Sequence, residues 1–188
     1  MPFLPLNDHK LFFFDCETGG LDPSKTDMVE VACVVTDPTG RNILSEYHAR
    51  VFPRRPVEAK AASINGYNEE KWAEDAVTID VAMVKLLERA KDCLFCSHNT
   101  PFDWGYFSTA MLERGGRWRG DYHRIDTVAL ATPLLKAGKV IDLKLGTLCD
   151  HFSIDKGEPH RAMSDARACH QLYLKLMDIY APLFVRAP

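Results

Sequence analysis

The sequence predicts an α/β protein with a five-stranded mixed sheet, in which three antiparallel strands are followed by parallel strands and helices flank the sheet. Two observations lead to this fold class. Residues 10–52 contain three strand-like segments, and the later part of the chain alternates helical segments with two short strand-like ones. This order is typical of a mixed sheet covered by helices. A length of 188 residues suits a single domain, residues 1–188, with one core.

The first three strands are predicted to form an antiparallel meander. Residues 10–16 (KLFFFDC) are a continuous apolar run, which is typical of a central strand covered on both faces. Residues 28–36 (MVEVACVVT) are rich in β-branched side chains, and residues 41–52 (RNILSEYHARVF) alternate in polarity. The sequence DPTG at 37–40 predicts the turn between these two strands.

The remaining chain is predicted to be mainly helical, with the fourth and fifth strands at residues 93–97 (CLFCS) and 122–127 (YHRIDT). Helices are predicted at 58–65, 68–75, 78–90, 101–116, 127–137, 145–153 and 160–180. In the third of these helices, Val81, Val84, Leu87 and Ala90 recur at helical spacing and predict its buried face.

Cys93 and Cys96 form a CxxC pair, which could be redox-active or could be half of a zinc site. Residues three apart in a strand point to opposite faces, and the chain has no second CxxC to complete a metal cage. We therefore expect the six cysteines of the chain to be reduced, buried thiols.

Composition excludes several classes of protein. No apolar run approaches the roughly 18 residues of a membrane span, and residues 1–11 lack the layout of a secretory signal, so we expect a cytoplasmic protein that is not bound to a membrane. The net charge of −3 gives no overall basic footprint for a polyanion. A nucleic-acid substrate remains compatible, because metal ions can carry the positive charge that meets phosphate.

The first strand ends in two acidic residues that share a face. Residues i and i+2 of a strand point the same way, so Asp15 and Glu17 lie together while Cys16 points into the protein. Oxygen ligands of this kind are those that Mg²⁺ or Mn²⁺ prefers. The alternative is a solvated turn in which Gly19 and Gly20 provide the bend.

Two further acids are predicted in the opening turns of helices. Asp103 follows the strand CLFCS, and Asp165 starts the last helix, with His160 five residues earlier on the preceding loop. A carboxylate in a first turn is favoured by the helix dipole alone, so neither acid is specific by itself. His98 stands at a strand end beside the predicted site, and its role stays open.

Three segments, FFFDCETGGL, SHNTPFD and HRAMSDA, resemble the three exonuclease motifs of the DEDD superfamily, in the order and spacing of the DnaQ-like (DNA polymerase III epsilon-like) exonucleases. The similarity runs from Leu11 to about Tyr173. A histidine five residues before the last aspartate is typical of the histidine subclass, DEDDh; the tyrosine subclass would need tyrosine where Arg161 stands. The resemblance implies a ribonuclease H-like fold and 3′-to-5′ removal of nucleotides.

The resemblance also implies roles for individual residues. Asp15, Glu17, Asp103 and Asp165 would hold two divalent metal ions, Mg²⁺ or Mn²⁺, with Asp15 bridging both, and His160 would be the general base. The residues that it implies for binding the terminal nucleotide are Thr18, Leu21, Asn65, Asn99 and Phe102. Asp126 resembles a further family acid that supports the site without ligating metal.

The expected partner is the single-stranded 3′ end of a nucleic acid. DNA is the first expectation, with RNA trimming of the oligoribonuclease type as the alternative, because Gly19 replaces a common threonine and Asn65 a common histidine. A binding module without catalysis is the rival from another class, although it would not need all four acids and His160. Polymerase-associated members typically carry a C-terminal docking segment. This chain stops at Pro188, so we expect a free-standing exonuclease.

Overall fold

Six strands form one mixed sheet in the part of the chain that the structure, a computed structural model, describes, namely residues 5–158 and 160–184. The strands are β1 (Lys10–Thr18), β2 (Met28–Thr36), β3 (Ile43–Phe52), β4 (Val77–Thr78), β5 (Cys93–Ser97) and β6 (Arg124–Asp126). Their order across the sheet is β4-β3-β2-β1-β5-β6. Strands β1, β2 and β3 pair antiparallel, whereas β4, β5 and β6 pair parallel to their neighbours.

The helices that flank the sheet are α1 (Ala59–Asn65), α2 (Glu69–Ala73), α3 (Ile79–Arg89), α4 (Thr100–Glu113), α5 (Thr127–Lys136), α6 (Leu145–Phe152) and α7 (Ala162–Tyr180). The predicted fold class is therefore confirmed. Two sequence-based predictions concern segments that extend beyond the described residues. The segment predicted not to be a secretory signal includes residues 1–4, and the predicted lack of a C-terminal docking segment concerns residues 185–188.

The predicted number of five strands is wrong by one. The extra strand, β4, has two residues and pairs with Val51 and Phe52 at the end of β3, at the point where the sequence predicts the start of a helix. A pair this short has no periodicity that a sequence could reveal. Strand β3 also starts later than predicted, because the Asp37 carboxylate accepts the backbone N–H of Arg41 at 3.1 Å and so extends the turn.

The two faces of the sheet are covered by different helices, and the alternation along β1 divides the core between them. Phe12, Phe14 and Cys16 pack with α3 and α4, whereas Leu11 and Phe13 pack with α7. A third apolar cluster joins α7 to α5 and α6. Asp15 and Glu17 continue the odd-numbered series, so their side chains lie on the α7 face.

The helix α3 is confirmed, but its predicted buried face is wrong for Val81 and Val84 and correct only for Leu87 and Ala90, which pack with the core. Val81 and Val84 are 47% and 55% exposed, and the buried positions are Ile79, Ala82, Met83 and Leu86. Residues before the helix set its rotation. The Thr78 side chain accepts the backbone N–H of Val81 as the N-cap, while β4 fixes the preceding residues on β3.

The cysteines are free and buried, as expected. Cys93 belongs to the core cluster on the α3–α4 face and Cys96 to the cluster on the α7 face, so the CxxC pair is divided by the sheet. Burial raises the pKa of Cys93 to about 12, which disfavours the reactive thiolate. Among the described residues, no helix combines the length and the apolar character that crossing a membrane requires.

Substitution of Gly120 tests the packing at the start of β5, and substitution of Gly105 in α4 is the control. A Cβ added at Gly120 would lie 2.2 Å from the backbone oxygen of Cys93, whereas one at Gly105, within α4, would meet nothing closer than 3.9 Å. We expect Gly120→Ala to lower the free energy of unfolding by about 3 kcal/mol. Gly105→Ala should raise it by about 0.5–1 kcal/mol, because alanine favours the helix. Urea unfolding measures both, and equal midpoints would contradict this packing.

Candidate active site

The predicted acids meet at one edge of the sheet. Asp15 and Glu17 stand near the C-terminal end of β1, and the parallel neighbour β5 ends at the same edge. Helix α4 begins directly after β5 and brings Asp103 in its first turn. The first turn of α7 supplies Asp165 from the other side. The parallel β1–β5 pair is therefore what lets residues distant in sequence converge.

Three potential ligand groups are close enough to share one ion. Ligand atoms of Glu17, His160 and Asp165 all lie within 4.8 Å of one another. Asp103 is joined to β1 through Cys16, whose Sγ donates to Asp103 Oδ1 at 3.5 Å. Asp103 is only 3% exposed and Glu17 9%, so these carboxylates have little access to bulk water.

Burial and mutual repulsion disfavour ionisation of these carboxyl groups. The pKa of Asp15 is raised well above its ordinary value by burial and then by the charges of Asp103, Asp165 and Glu17. Burial, followed by the charges of Asp165 and Glu30, raises the pKa of Glu17 from 4.5 to about 7. Burial also raises the pKa of Asp103 and of Asp165.

A divalent cation fits these residues. Carboxylates that are costly to ionise alone become favourable beside positive charge, and their hard oxygen atoms suit Mg²⁺ or Mn²⁺. The charges of Asp103, Asp165 and Glu17 each raise the pKa of Asp15, so Asp15 interacts electrostatically with the other three acids. The alternative interpretation of Asp15 and Glu17 as part of a solvated turn is not what the structure shows, because Glu17 is buried within β1.

His160 lies on the exposed loop before α7 and has a left-handed backbone conformation, with φ of +57°. This conformation is unfavourable for a residue with a Cβ atom. The His160 backbone N–H donates to Asp165 Oδ2 at 3.1 Å and so helps to hold the loop. The imidazole is thereby kept beside the carboxylates while remaining open to solvent.

Four of the five residues implied for nucleotide binding line one cavity of about 400 Å³ next to Glu17 and His160. They are Thr18, Leu21, Asn65 and Phe102. Leu21 is 80% exposed at this cavity, where Ala61 and Ile64 add apolar surface that the sequence did not reveal. Asn99 is exposed at the start of α4 and does not line this cavity; its backbone N–H donates to Asp126 Oδ1 at 3.1 Å.

The polar groups of Thr18 and Asn65 are already used within the protein. Thr18 Oγ1 donates to the backbone oxygen of Gly20 at 2.6 Å. Asn65 is 2% exposed; its Nδ2 donates to the backbone oxygen of Thr18 at 3.0 Å, and its Oδ1 accepts the N–H of Tyr67 at 3.0 Å. These two residues therefore shape the cavity wall.

Asp126 and His98 both lie outside the acid cluster and make hydrogen bonds within the protein. Asp126 caps α5 by accepting the N–H of Val128 at 2.9 Å, and it also holds Asn99. This geometry agrees with the expected supporting role. His98 Nδ1 lies 2.8 Å from Thr127 Oγ1 and its Nε2 lies 2.9 Å from the backbone oxygen of Leu143, so both ring nitrogens are engaged.

Two charged residues that the sequence interpretation missed lie beside Glu17. Arg161 donates through Nη1 to the backbone oxygen of Asn65 at 2.5 Å, and its charge acts to lower the pKa of Glu17. Glu30 on β2 is 3% exposed and pairs directly with Glu17 in the β1–β2 register. The sequence feature that could have indicated a role for Glu30 is its position as the single charged residue in the apolar strand MVEVACVVT.

Comparison with known proteins identifies a family for this chain. The RNase_T model, described as exonuclease, matches residues 12–173. The chain is 29% identical over 173 residues to the PolC-type DNA polymerase III of Thermotoga maritima, covering 92% of this chain and 12% of that protein. It is 30% identical over 172 residues to the PolC-type enzyme of Listeria welshimeri, with the same two coverages. The chain thus spans 12% of the length of these relatives.

Solved structures show the same fold at lower identity. Escherichia coli exonuclease I in complex with a dT13 oligonucleotide has a TM-score of 0.82 and 17% identity, with 94% of this chain and 42% of that chain covered. Exonuclease I from Methylocaldum szegediense has a TM-score of 0.76 and 20% identity, with coverages of 93% and 41%. These similarities support the ribonuclease H-like fold expected from the sequence.

The raised pKa of Glu17 predicts how stability depends on pH when metal is removed. Its folded pKa of about 7 exceeds the ordinary 4.5, so its contribution to stability is fully present below pH 4.5 and is lost as pH rises through 7. In chelator, we expect the free energy of unfolding to fall by on the order of 3 kcal/mol between pH 5 and pH 8. Saturating Mg²⁺ should reverse the loss.

Urea unfolding at several pH values, with and without Mg²⁺, measures this effect. Glu17→Gln is the control, because a neutral amide cannot titrate; it should reduce the pH dependence in chelator, while the raised pKa values of Asp15, Asp103 and Asp165 maintain part of it. A metal-free protein that is equally stable at both pH values would contradict the electrostatic description of Glu17.

Proposed function

Since the chain belongs to the RNase_T exonuclease family, we propose that residues 1–188 form one exonuclease domain that removes nucleotides from the 3′ end of single-stranded DNA. The observation that carries this proposal is the convergence of Glu17, His160 and Asp165, with ligand atoms within 4.8 Å, at the sheet edge that also holds Asp15 and Asp103. A binding module without catalysis would not require these acids, of which Glu17 and Asp103 are buried, to be brought together at an electrostatic cost.

The four acids, Asp15, Glu17, Asp103 and Asp165, would hold two divalent ions, Mg²⁺ or Mn²⁺. When bound, such ions would neutralise charge on the scissile phosphate and lower the pKa of the attacking water. The protein contributes the negative charge of the four carboxylates, and its secondary structure fixes the positions of these groups. Asp15 and Glu17 are fixed by the β1–β2 ladder, and Asp103 and Asp165 by the first turns of their helices.

His160 is proposed to accept the proton of the attacking water. A ring nitrogen of His160 lies within 4.8 Å of a carboxylate oxygen of Glu17 and of one of Asp165, and the exposure of His160 leaves room for substrate. Water oxygen forms a bond to the phosphorus, and the bond from phosphorus to the 3′ oxygen of the penultimate nucleotide breaks. That oxygen gains a proton from solvent. The products are a nucleoside 5′-monophosphate and a strand shortened by one nucleotide.

The terminal base is proposed to occupy the cavity beside Glu17. Leu21, Ile64 and Phe102 provide apolar surface there, and stacking on such surface tolerates any base, as an enzyme that degrades strands stepwise requires. Two similarities support DNA as the substrate. The relatives are DNA polymerases by name, and exonuclease I has been solved with a dT13 oligonucleotide. Association of this chain with a polymerase would be consistent with the same relatives.

The direct test is shortening of a 5′-labelled single strand in Mg²⁺ or Mn²⁺, with matched DNA and RNA sequences side by side. We expect a ladder of shortened DNA and a slower reaction on RNA. Failure to shorten either strand with either metal would refute the enzyme proposal, and faster degradation of RNA would favour the alternative of RNA trimming.

Replacing His160 separates proton transfer from metal binding. His160→Ala should lower kcat by about 100-fold or more, because a general base contributes on that scale, and should leave Mn²⁺ affinity within about threefold. His151→Ala is the control, since His151 is exposed on α6 and does not line this cavity. A large loss of Mn²⁺ affinity in His160→Ala would show that His160 is a metal ligand.

The stacking proposal predicts a difference between two exposed apolar residues. Leu21→Ala should lower kcat/KM on single-stranded DNA by about tenfold through lost base contact. Ile141→Ala should have no effect, because Ile141 is 89% exposed and does not line the cavity, whereas Leu21 is 80% exposed within it. Steady-state kinetics on an oligonucleotide measures both variants, and equal kcat/KM values would place the terminal base elsewhere.

A further inference from the structure

We propose that Glu30 is a positioning residue for the exonuclease reaction: it caps the N-terminus of α7 from across the sheet and thereby fixes Asp165 and His160 against β1. The inference rests on the proposed function, because it concerns how that site is assembled. Glu30 does not need to contact substrate to act in this way.

The contacts of Glu30 connect three elements at the edge of the sheet. Its side chain is almost fully buried on β2, and its Oε1 accepts the backbone N–H of Ala162 at 3.2 Å. His48 on β3 places its Nε2 2.8 Å from the same oxygen. His48 is the more exposed partner, with 42% of its side chain accessible against 4% for Glu30.

Helix α7 lacks a local side-chain cap at this end. Arg161 occupies the N-cap position and makes no side-chain capping hydrogen bond. The first N–H groups of a helix have no intrahelical acceptor, and an uncapped buried N–H is costly. Glu30, 132 positions earlier in the sequence, supplies the acceptor for Ala162, the first residue of the helix. Its negative charge also interacts favourably with the N-terminus of the helix dipole.

The capped turn is the one that carries the site. Asp165 lies in this first turn, and its Oδ2 accepts the backbone N–H of His160. Movement of Ala162 would therefore displace both groups from Glu17, to which they are now close. Their separation is small enough that a shift of about 1 Å would matter for the reaction.

The location of Glu30 has a clear electrostatic cost. It lies directly opposite Glu17 in the antiparallel ladder, and like charges in that arrangement are destabilising. Its neighbours Val29 and Val31 are fully buried and apolar. A valine at position 30 would avoid the repulsion but could not accept the Ala162 N–H. A capping role explains why the strand carries a carboxylate there.

A second contact between the sheet and α7 provides a matched control. Glu46 on β3 receives Arg167 Nε at 2.9 Å and Arg167 Nη2 at 2.5 Å, beyond the first turn of α7 and exposed to solvent. Removing the Glu46 carboxylate disturbs the same helix–sheet junction without touching Ala162.

The test compares Glu30→Ala, Glu30→Gln and Glu46→Ala by two independent measurements. The first is hydrogen exchange at the amide of Ala162 in metal-free protein, which does not depend on catalysis. The second is kcat and KM on single-stranded DNA, measured well below each unfolding temperature.

For Glu30→Ala we expect exchange at Ala162 to become about tenfold faster, kcat to fall by about tenfold or more, and KM to stay within about threefold. Glu30→Gln retains an acceptor oxygen and should recover most of the protection and most of kcat. Glu46→Ala should leave both unchanged within about twofold.

The proposal is overturned if Glu30→Ala keeps normal protection at Ala162 and normal kcat, or if Glu46→Ala lowers kcat as much. Equal losses in Glu30→Gln and Glu30→Ala would mean that the charge of Glu30, and not its cap, is what matters. If Glu30→Ala does not fold, Glu30→Val replaces it, because valine also lacks the acceptor and matches the buried neighbours Val29 and Val31. Unchanged exchange at Ala162 in that variant counts against the proposal. If the wild-type protein has no nuclease activity, the proposed function fails while the exchange measurement still tests the cap.

Discussion

Repulsion among the carboxylates at the end of β1, of which Glu17 and Asp103 are buried, is the constraint on which the rest of the site depends. Asp15, Glu17 and Asp103 come from elements that the core holds rigidly, and burial raises the pKa of each of them. Such a group is unfavourable unless positive charge offsets it. The first turns of α4 and α7 provide part of this charge through their dipoles, and Arg161 acts in the same direction on Glu17. The negative charge that these groups leave unbalanced is the physical reason to expect divalent cations here.

The architecture explains why these groups meet although 150 residues separate Asp15 from Asp165. Helices α3 and α4 cover one face of the sheet, and α7 covers the other. On one face α4, and on the other α7, begins at the edge where β1 and its parallel neighbour β5 end. Polar contacts then set how α7 lies on the sheet, including Glu30 with Ala162 and the backbone oxygen of Gly40 with His170 Nε2 at 2.7 Å.

Local patterns were enough to predict the fold class, and the motif resemblance to the exonucleases is confirmed by the family match. The shared face of Asp15 and Glu17 follows from strand geometry alone. What failed depended on tertiary contacts. The rotation of α3 is set by β4 and the Thr78 cap, and the use of the Asn65 amide by Thr18 and Tyr67 depends on the fold of α1. The role of Glu30 could not be predicted from the sequence, because its hydrogen-bond partner, the backbone N–H of Ala162, lies 132 positions away. The catalytic and metal-binding roles of the acids remain predictions.

The central claim is that Asp15, Glu17, Asp103 and Asp165 form one metal centre, with His160 beside it as the base. The most direct measurement is a crystal structure with Mn²⁺ and a nucleoside 5′-monophosphate, using anomalous scattering to locate the metal. We expect two manganese peaks within ligand distance of the four carboxylates, Asp15 in contact with both, and His160 in contact with neither. Manganese bound elsewhere in a protein that is active with Mn²⁺, or bound directly to His160, would contradict this claim.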